Sequence, residues 1–166
     1  MDDVHIRKLR AEDSLDQLTL LLNRAYQRLV DLGFNYTASY QDVQTTAERI
    51  QHGECYVAVL DGRIVGTVNV ELTGRTNPPW VRGRRDVAYA SQLGVDPDVR
   101  HRGLGAKLMD VAEERARQAG FKYIAGDTSE GADYLLKFYG GRGYEVMAHH
   151  QWEGKTYRSV VLVKKL

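Results

Sequence analysis

The sequence predicts one α/β domain of about seven strands and four helices. Three observations carry this. Apolar residues recur at helical spacing in two long segments, β-branched runs of strand length lie between them, and a strand signal runs through a glycine-bearing turn into a helix. With 166 residues, 43% of them hydrophobic, and no Pro- or Ser-rich linker, residues 1–166 read as a single unit with a sizeable core.

The elements follow in order. "VHIRKLR" alternates loosely through Val4, Ile6 and Leu9, as a short half-buried strand would. Ser14 with Gln17 makes a capping box, and Leu15, Leu18, Leu22, Ala25 and Leu29 form one helical face that should stop by Gly33. A weaker helix is expected from about Asp42 to Gln51, after "FNYTASYQD". "ECYVAVLDGRIVGTVNVEL" then reads as a hairpin, because Asp61-Gly62 suits the positive φ angles of a two-residue turn. Pro78-Pro79 and Gly83 make "RTNPPWVRGRR" a loop. "DVAYASQLGV" is a central strand ended by Asp96-Pro97. Leu104, Leu108, Val111, Ala112, Ala116 and Ala119 give the buried stripe of the next helix, closed by Gly120. "KYIAG" is a further strand, and "QWEGKTYRSVVLVKKL" a final hairpin turning at Glu153-Gly154, with Val161 and Val163 on one face. The order is strand, two helices, three strands, helix, strand, helix, two strands.

The turn "RHRGLG" between the central strand and the long helix carries the chemistry. The first N–H groups of a helix have no intrahelical partners and sit at the positive end of its dipole, so they form an anion site. Glycine permits unusual φ, and its missing Cβ lets a phosphate reach those amides. Arg100 and Arg102 add charge-assisted hydrogen bonds, and a diphosphate is the expected ligand. The segment is not a Walker loop, since no glycine lies five residues before a Gly-Lys-Ser/Thr. It also departs from G-x-G-x-x-G, since Leu108 stands at the last position.

It does match Arg/Gln-x-x-Gly-x-Gly/Ala, as Arg100, Gly103 and Gly105 after "LGVDPDV", and so resembles the acetyl-CoA loop of the GNAT superfamily of N-acetyltransferases. The resemblance spans nearly the whole chain: "GRIVGTVNV" falls in the second and third strands, and "LLKFYGGRGYEVM" is similar to the family's segment after the fifth strand. It implies a mixed α+β fold with a mostly antiparallel central sheet, opened by a splay between the central strand and its neighbour. It implies acetyl-CoA as acyl donor and an amine as acceptor, joined by direct attack in a ternary complex. Arg100, His101, Arg102, Gly103, Leu104, Gly105, Ala106 and Lys107 then form the diphosphate cradle. Leu93, Gly94 and Val95 offer backbone groups to the pantetheine and an N–H to the tetrahedral oxyanion, with Phe138 beside the cofactor. Tyr139 protonates or hydrogen-bonds the departing sulfur. Two positions depart from the family pattern: "VAYASQL" holds no glutamate, and Ala132 stands where an Asn is usual. Asp127, just past "KYIAG", is the candidate base acting through water, with Glu130 behind it.

In this fold the acceptor enters opposite the cofactor. Tyr36, Trp80 and Tyr89 are the candidate acceptor-binding residues, with Tyr40 nearby, since aromatic faces attract ammonium groups. The acceptor is a small-molecule amine or a peptide or protein amine, and the sequence does not choose. Arg82, Arg84 and Arg85 are compatible with an acidic acceptor, with the cofactor's 3′-phosphate or with solvent. The net charge of +1 gives no reason to expect nucleic acid or a membrane surface. The single cysteine, Cys55, excludes an internal disulfide and reads as a small core residue, and no signal h-region or long apolar span is present, so the cytoplasm is the expected compartment. His149 and His150 are adjacent on a strand and point to opposite faces, so no metal is expected. Edge strands leave room for a homodimer. Two other readings stay open: a CoA-binding sensor without catalysis, and an acyltransferase for a different acyl-CoA.

Overall fold

In the computed structural model, which describes residues 3–72, 80–99 and 102–166, seven strands form one sheet in the order β1-β2-β3-β4-β5-β7-β6. The strands are β1 (His5–Lys8), β2 (Gly53–Leu60), β3 (Arg63–Glu71), β4 (Val87–Val95), β5 (Tyr123–Ser129), β6 (Glu145–His150) and β7 (Ser159–Lys165). The helices are α1 (Leu15–Ala25), α2 (Gln27–Asp31), α3 (Val43–Ile50), α4 (Leu104–Gln118) and α5 (Asp133–Gly141). Every neighbouring pair is antiparallel except β4 with β5.

Local chemistry explains most boundaries. Ser14 caps α1 by accepting from the Gln17 N–H, and Asp42 caps α3 by accepting from Thr45. Asp61 and Gly62 both have positive φ, 50° and 75°, and close the β2–β3 hairpin. Gly33, at φ 92°, ends the first helical region. That region differs from the continuous helix expected: Tyr26, at φ −93° and ψ 0°, separates α1 from α2, so five helices replace four. The stripe of α4 also differs. Met109 and Glu113 are buried, whereas Ala119 is exposed and Val111 only half-buried. The last connection is longer than a tight hairpin, with residues 151–158 lying between β6 and β7 and Gly154 supplying positive φ.

Two layers of helices cover the sheet. Leu104, Leu108 and Ala112 of α4 pack on Val65, Val68 and Ile124, joined by Leu136, Phe138 and Tyr139 of α5. On the opposite face Leu18, Leu21 and Leu22 of α1 meet Cys55, Val57 and Ile64. Beside them Val81, Val87, Tyr89, Val161 and Val163 form a separate cluster, so Val161 and Val163 do share a face.

Candidate active site

The parallel pairing of β4 with β5 has only three rungs, Val87 with Tyr123, Ala88 with Ile124 and Tyr89 with Ala125. Beyond Tyr89 the strands diverge, which is the expected splay, and a cleft of about 860 Å³ opens there. Leu93, Gly94 and Val95 line it from β4, Gly105 from α4, and Phe138 and Tyr139 from α5.

Two backbone features prepare this cleft. Thr67 of β3 pairs with Gly94, but Asn69 pairs with Ser91, so Gln92 and Leu93 together oppose one residue. This bulge, with Gln92 at φ 54°, takes backbone groups out of the ladder. A non-glycine residue held in that region costs about 1 kcal/mol or more and persists only where its surroundings over-determine it. The second feature is the start of α4. Gly103 is its N-cap at φ 68°, no side chain caps it, and a Cβ built there would meet nothing within 4 Å. The glycine therefore serves left-handed backbone and an open approach to the first-turn amides. Among the described residues no side chain caps this end of the helix, which fits a diphosphate.

The predicted loop residues divide accordingly. Arg100 and His101 lie outside the described residues. Arg102, Gly103 and Lys107 are exposed, Ala106 is half-buried, and the Leu104 side chain is in the core, leaving its amide for a ligand. Gly94 has a packing role as well, since a Cβ there would lie 3.2 Å from Ala25 of α1. Phe138 and Tyr139 pack edge-on with centroids 5.1 Å apart, and no side chain among the described residues hydrogen-bonds the Tyr139 hydroxyl. Burial pushes that hydroxyl above the usual tyrosine range.

Across the cleft, Asp127 lies within β5 instead of beyond its end, because the strand continues to Ser129. Tyr89 of β4 donates to its Oδ1, and Trp152 of the β6–β7 loop donates to Oδ2 at 2.8 Å. Burial, then the neighbouring Asp127, drives the Tyr89 hydroxyl well above its ordinary value, so it stays a donor. Glu130 instead binds Arg158 at 2.8 Å on the surface. Tyr36 is a fixed wall: its hydroxyl is 2.6 Å from Thr128 Oγ1, accepts the Ser129 N–H at 2.7 Å, and its ring stacks on Tyr157 at 4.7 Å. Trp80 is not brought into the cleft. It packs on the Val81 cluster with Arg84 over its ring at 5.2 Å. Tyr40 is exposed, and Cys55 is buried with its thiol raised by desolvation.

Several cleft residues carried no motif in the sequence: Gln92, Trp152, Tyr157, Arg49 and Glu71. Glu71 is 2% exposed and faces Tyr89 in the β3–β4 register, so a carboxylate stands on the strand next to the one searched. Among the described residues no group of three or more His, Cys, Asp or Glu side chains is placed to hold a metal ion. No helix among them is long and apolar enough to cross a membrane.

A sheet splayed beside an uncapped, glycine-started helix, with an aromatic cleft opposite, defines the class of acyl-CoA-dependent transferases. The profile of the acetyltransferase (GNAT) family matches residues 15–144, and the chain belongs to that family. Two relatives come from Bacillus subtilis (strain 168). An S-(2-succino)cysteine N-acetyltransferase is 29% identical over 163 residues, spanning 96% of this chain and 94% of the relative. An S-alkylcysteine N-acetyltransferase is 25% identical over 157 residues, spanning 93% and 85%. The crystal structure of a GNAT family acetyltransferase from Elizabethkingia anophelis with acetyl-CoA bound superposes over all of both chains, with a TM-score of 0.70 at 16% identity. The protein is an N-acetyltransferase that uses acetyl-CoA as acyl donor.

Proposed function

We propose that the acceptor is the α-amine of a small S-substituted cysteine, acetylated by direct attack while both substrates occupy the splay. The observation that carries this reading is the cleft itself, lined by two carboxylates, Asp127 and Glu71, and by Leu93, Gly94 and Val95 of β4. The near full-length similarity to the two cysteine-conjugate acetyltransferases supports the acceptor class.

Acetyl-CoA supplies a thioester electrophile and a thiol leaving group. Within this reading, the first-turn amides of α4 with Arg100, His101, Arg102 and Lys107 hold its diphosphate, and the bulge at Gln92 and Leu93 turns backbone donors toward the thioester oxygen. Asp127 accepts the amine's proton through water, with Tyr89 and Trp152 fixing both carboxylate oxygens. Tyr139 acts mainly as a hydrogen-bond donor. A thiol has a pKa of about 8.5, so full proton transfer from a hydroxyl raised above the usual tyrosine range would be uphill. Tyr36 and Tyr157 line the acceptor's path, and Trp80 has no part in it.

The reading includes one domain, a cytoplasmic location consistent with the lone buried thiol Cys55, and a homodimer where β6 edges meet, with Val146 and Met147 exposed. Light scattering reads the mass. The acceptor test is a panel of S-substituted cysteines, polyamines and peptides with acetyl-CoA and longer acyl-CoAs. Preference for the cysteine conjugates with the acetyl donor is expected, and a preference for peptides would sink the acceptor assignment.

A further inference from the structure

Arg49 of α3 lines the cleft and pairs with no carboxylate among the described residues. Its Nη1 donates to Oε1 of Gln41 at 2.7 Å. Gln41 is 3% exposed, and its Nε2 donates to Thr46 Oγ1 at 2.8 Å and to Gln92 Oε1 at 3.1 Å. Thr46 in turn lies 2.7 Å from Thr19 of α1. A buried polar chain from α1 through α3 to the β4 bulge thus fixes the guanidinium. The partner that holds it is a neutral amide, which orients the cation without cancelling its charge and leaves most of its five N–H donors unused.

The other cations on the cleft wall are committed differently. Arg28 lies flat over the Tyr134 ring at 3.8 Å. Lys155 donates to Asn35 O, Thr37 Oγ1 and the Tyr40 hydroxyl, tying the β6–β7 loop to the segment before α3. Arg49 shares the cleft with Tyr89, Asp127 and Tyr157, which line it as well. A carboxylate and a cation therefore line one cleft, and a ligand carrying both an amine and a carboxylate complements the two.

We propose that Arg49 binds the α-carboxylate of the acceptor, with Gln41 as its positioning residue, so that recognition of an amino acid is tied through Gln92 to the bulge beside the thioester site. This rests on the reading that the acceptor is an S-substituted cysteine. An amine lacking the carboxylate leaves Arg49 without an anion, and one lacking the amine gains nothing from Asp127.

The experiment compares S-butylcysteine with its carboxamide as acceptors for the wild type, Arg49→Gln and Arg49→Lys, with acetyl-CoA affinity measured alongside. The wild type should prefer the acid by roughly 10- to 100-fold in kcat/KM, mostly in KM, the range for a hydrogen bond to a charged group. Arg49→Gln should erase that preference, the amide losing far less than the acid, and Arg49→Lys should restore part of it. Turnover of neither acceptor by the wild type would remove the acceptor reading and this assignment with it. Turnover of the acid with an unchanged acid-to-amide ratio in Arg49→Gln would overturn Arg49 alone. If Arg49→Gln loses acetyl-CoA binding and so its fold, the wild-type ratio decides, and a value near one overturns the assignment.

Discussion

Asp127 and Tyr139 occupy opposite walls of the cleft, and each makes a distinct prediction. Asp127 is held at both oxygens, so Asp127→Asn keeps its shape and hydrogen bonding to Tyr89 while removing the charge. A fall in kcat/KM of about 10²- to 10⁴-fold is expected, the range for a lost general base. Glu71→Gln is the control, because Glu71 faces Tyr89 from β3. A larger loss there than in Asp127→Asn would move the proton-accepting role to Glu71. For Tyr139 the sign is fixed by burial. A hydroxyl raised above its ordinary value remains protonated through neutral pH, and its donor form disappears only as pH climbs through that raised value. Activity should therefore rise with pH as the acceptor's α-amine deprotonates, and show no fall below about pH 10. Tyr139→Phe should lower kcat by about 10- to 100-fold with acetyl-CoA binding intact, the range for a lost hydrogen bond to a developing thiolate. A near-wild-type rate across pH would reduce Tyr139 to packing against Phe138 and Tyr144.

At the scale of elements, legibility followed the range of the interactions. The α1 and α3 caps, the Asp61-Gly62 turn and the glycine at the head of α4 are local, and each could be read from a few neighbouring residues. The break at Tyr26 was not legible, because Leu22, Ala25 and Leu29 keep helical spacing across it. Nor was the inward turn of Glu113, which is 4% exposed because β7 and the end of α5 bring cations to it. Lys164 and Tyr144 donate to it, and Arg142 does so at 2.7 Å. Glu113→Ala leaves Lys164 without its carboxylate and Arg142 with Asp110 alone, and should cost about 3 kcal/mol in urea unfolding. A change below about 0.5 kcal/mol, the usual scale for surface sites, would mean the network is solvated. Gly103→Val tests the other end of α4. Left-handed backbone should cost a β-branched residue about 1–2 kcal/mol, while the new side chain projects into space that no atom of the described residues fills, where the proposed diphosphate would sit. Calorimetry should show acetyl-CoA affinity reduced by an order of magnitude or more. Unchanged affinity would remove the cradle.

On the scale of the whole molecule, the sheet order opens one gap between β4 and β5, and the proposed donor and acceptor halves of the site lie on either side of it. β4 is paired with β3 along most of its length but with β5 for three rungs only, and α4 and α5 close one face while α1 and α3 close the other. Residues from 49 to 157 meet in the gap, which is why Arg49, Glu71, Trp152 and Tyr157 carried no signal as a sequence motif. Trp80 shows the converse: an aromatic in a suitable loop, packed outside the cleft. A site assembled across two strands whose pairing ends at Tyr89 suits two substrates bound together. The only cysteine, Cys55, is buried in the α1 cluster and does not line the cleft.

The most direct test is an initial-rate grid, measuring CoA release while acetyl-CoA and S-butylcysteine are both varied. Transfer within a ternary complex predicts release that depends on and saturates with both substrates, intersecting reciprocal plots, and one N-acetylated product per CoA. Parallel plots, or CoA release that ignores the acceptor, would contradict direct transfer to the α-amine.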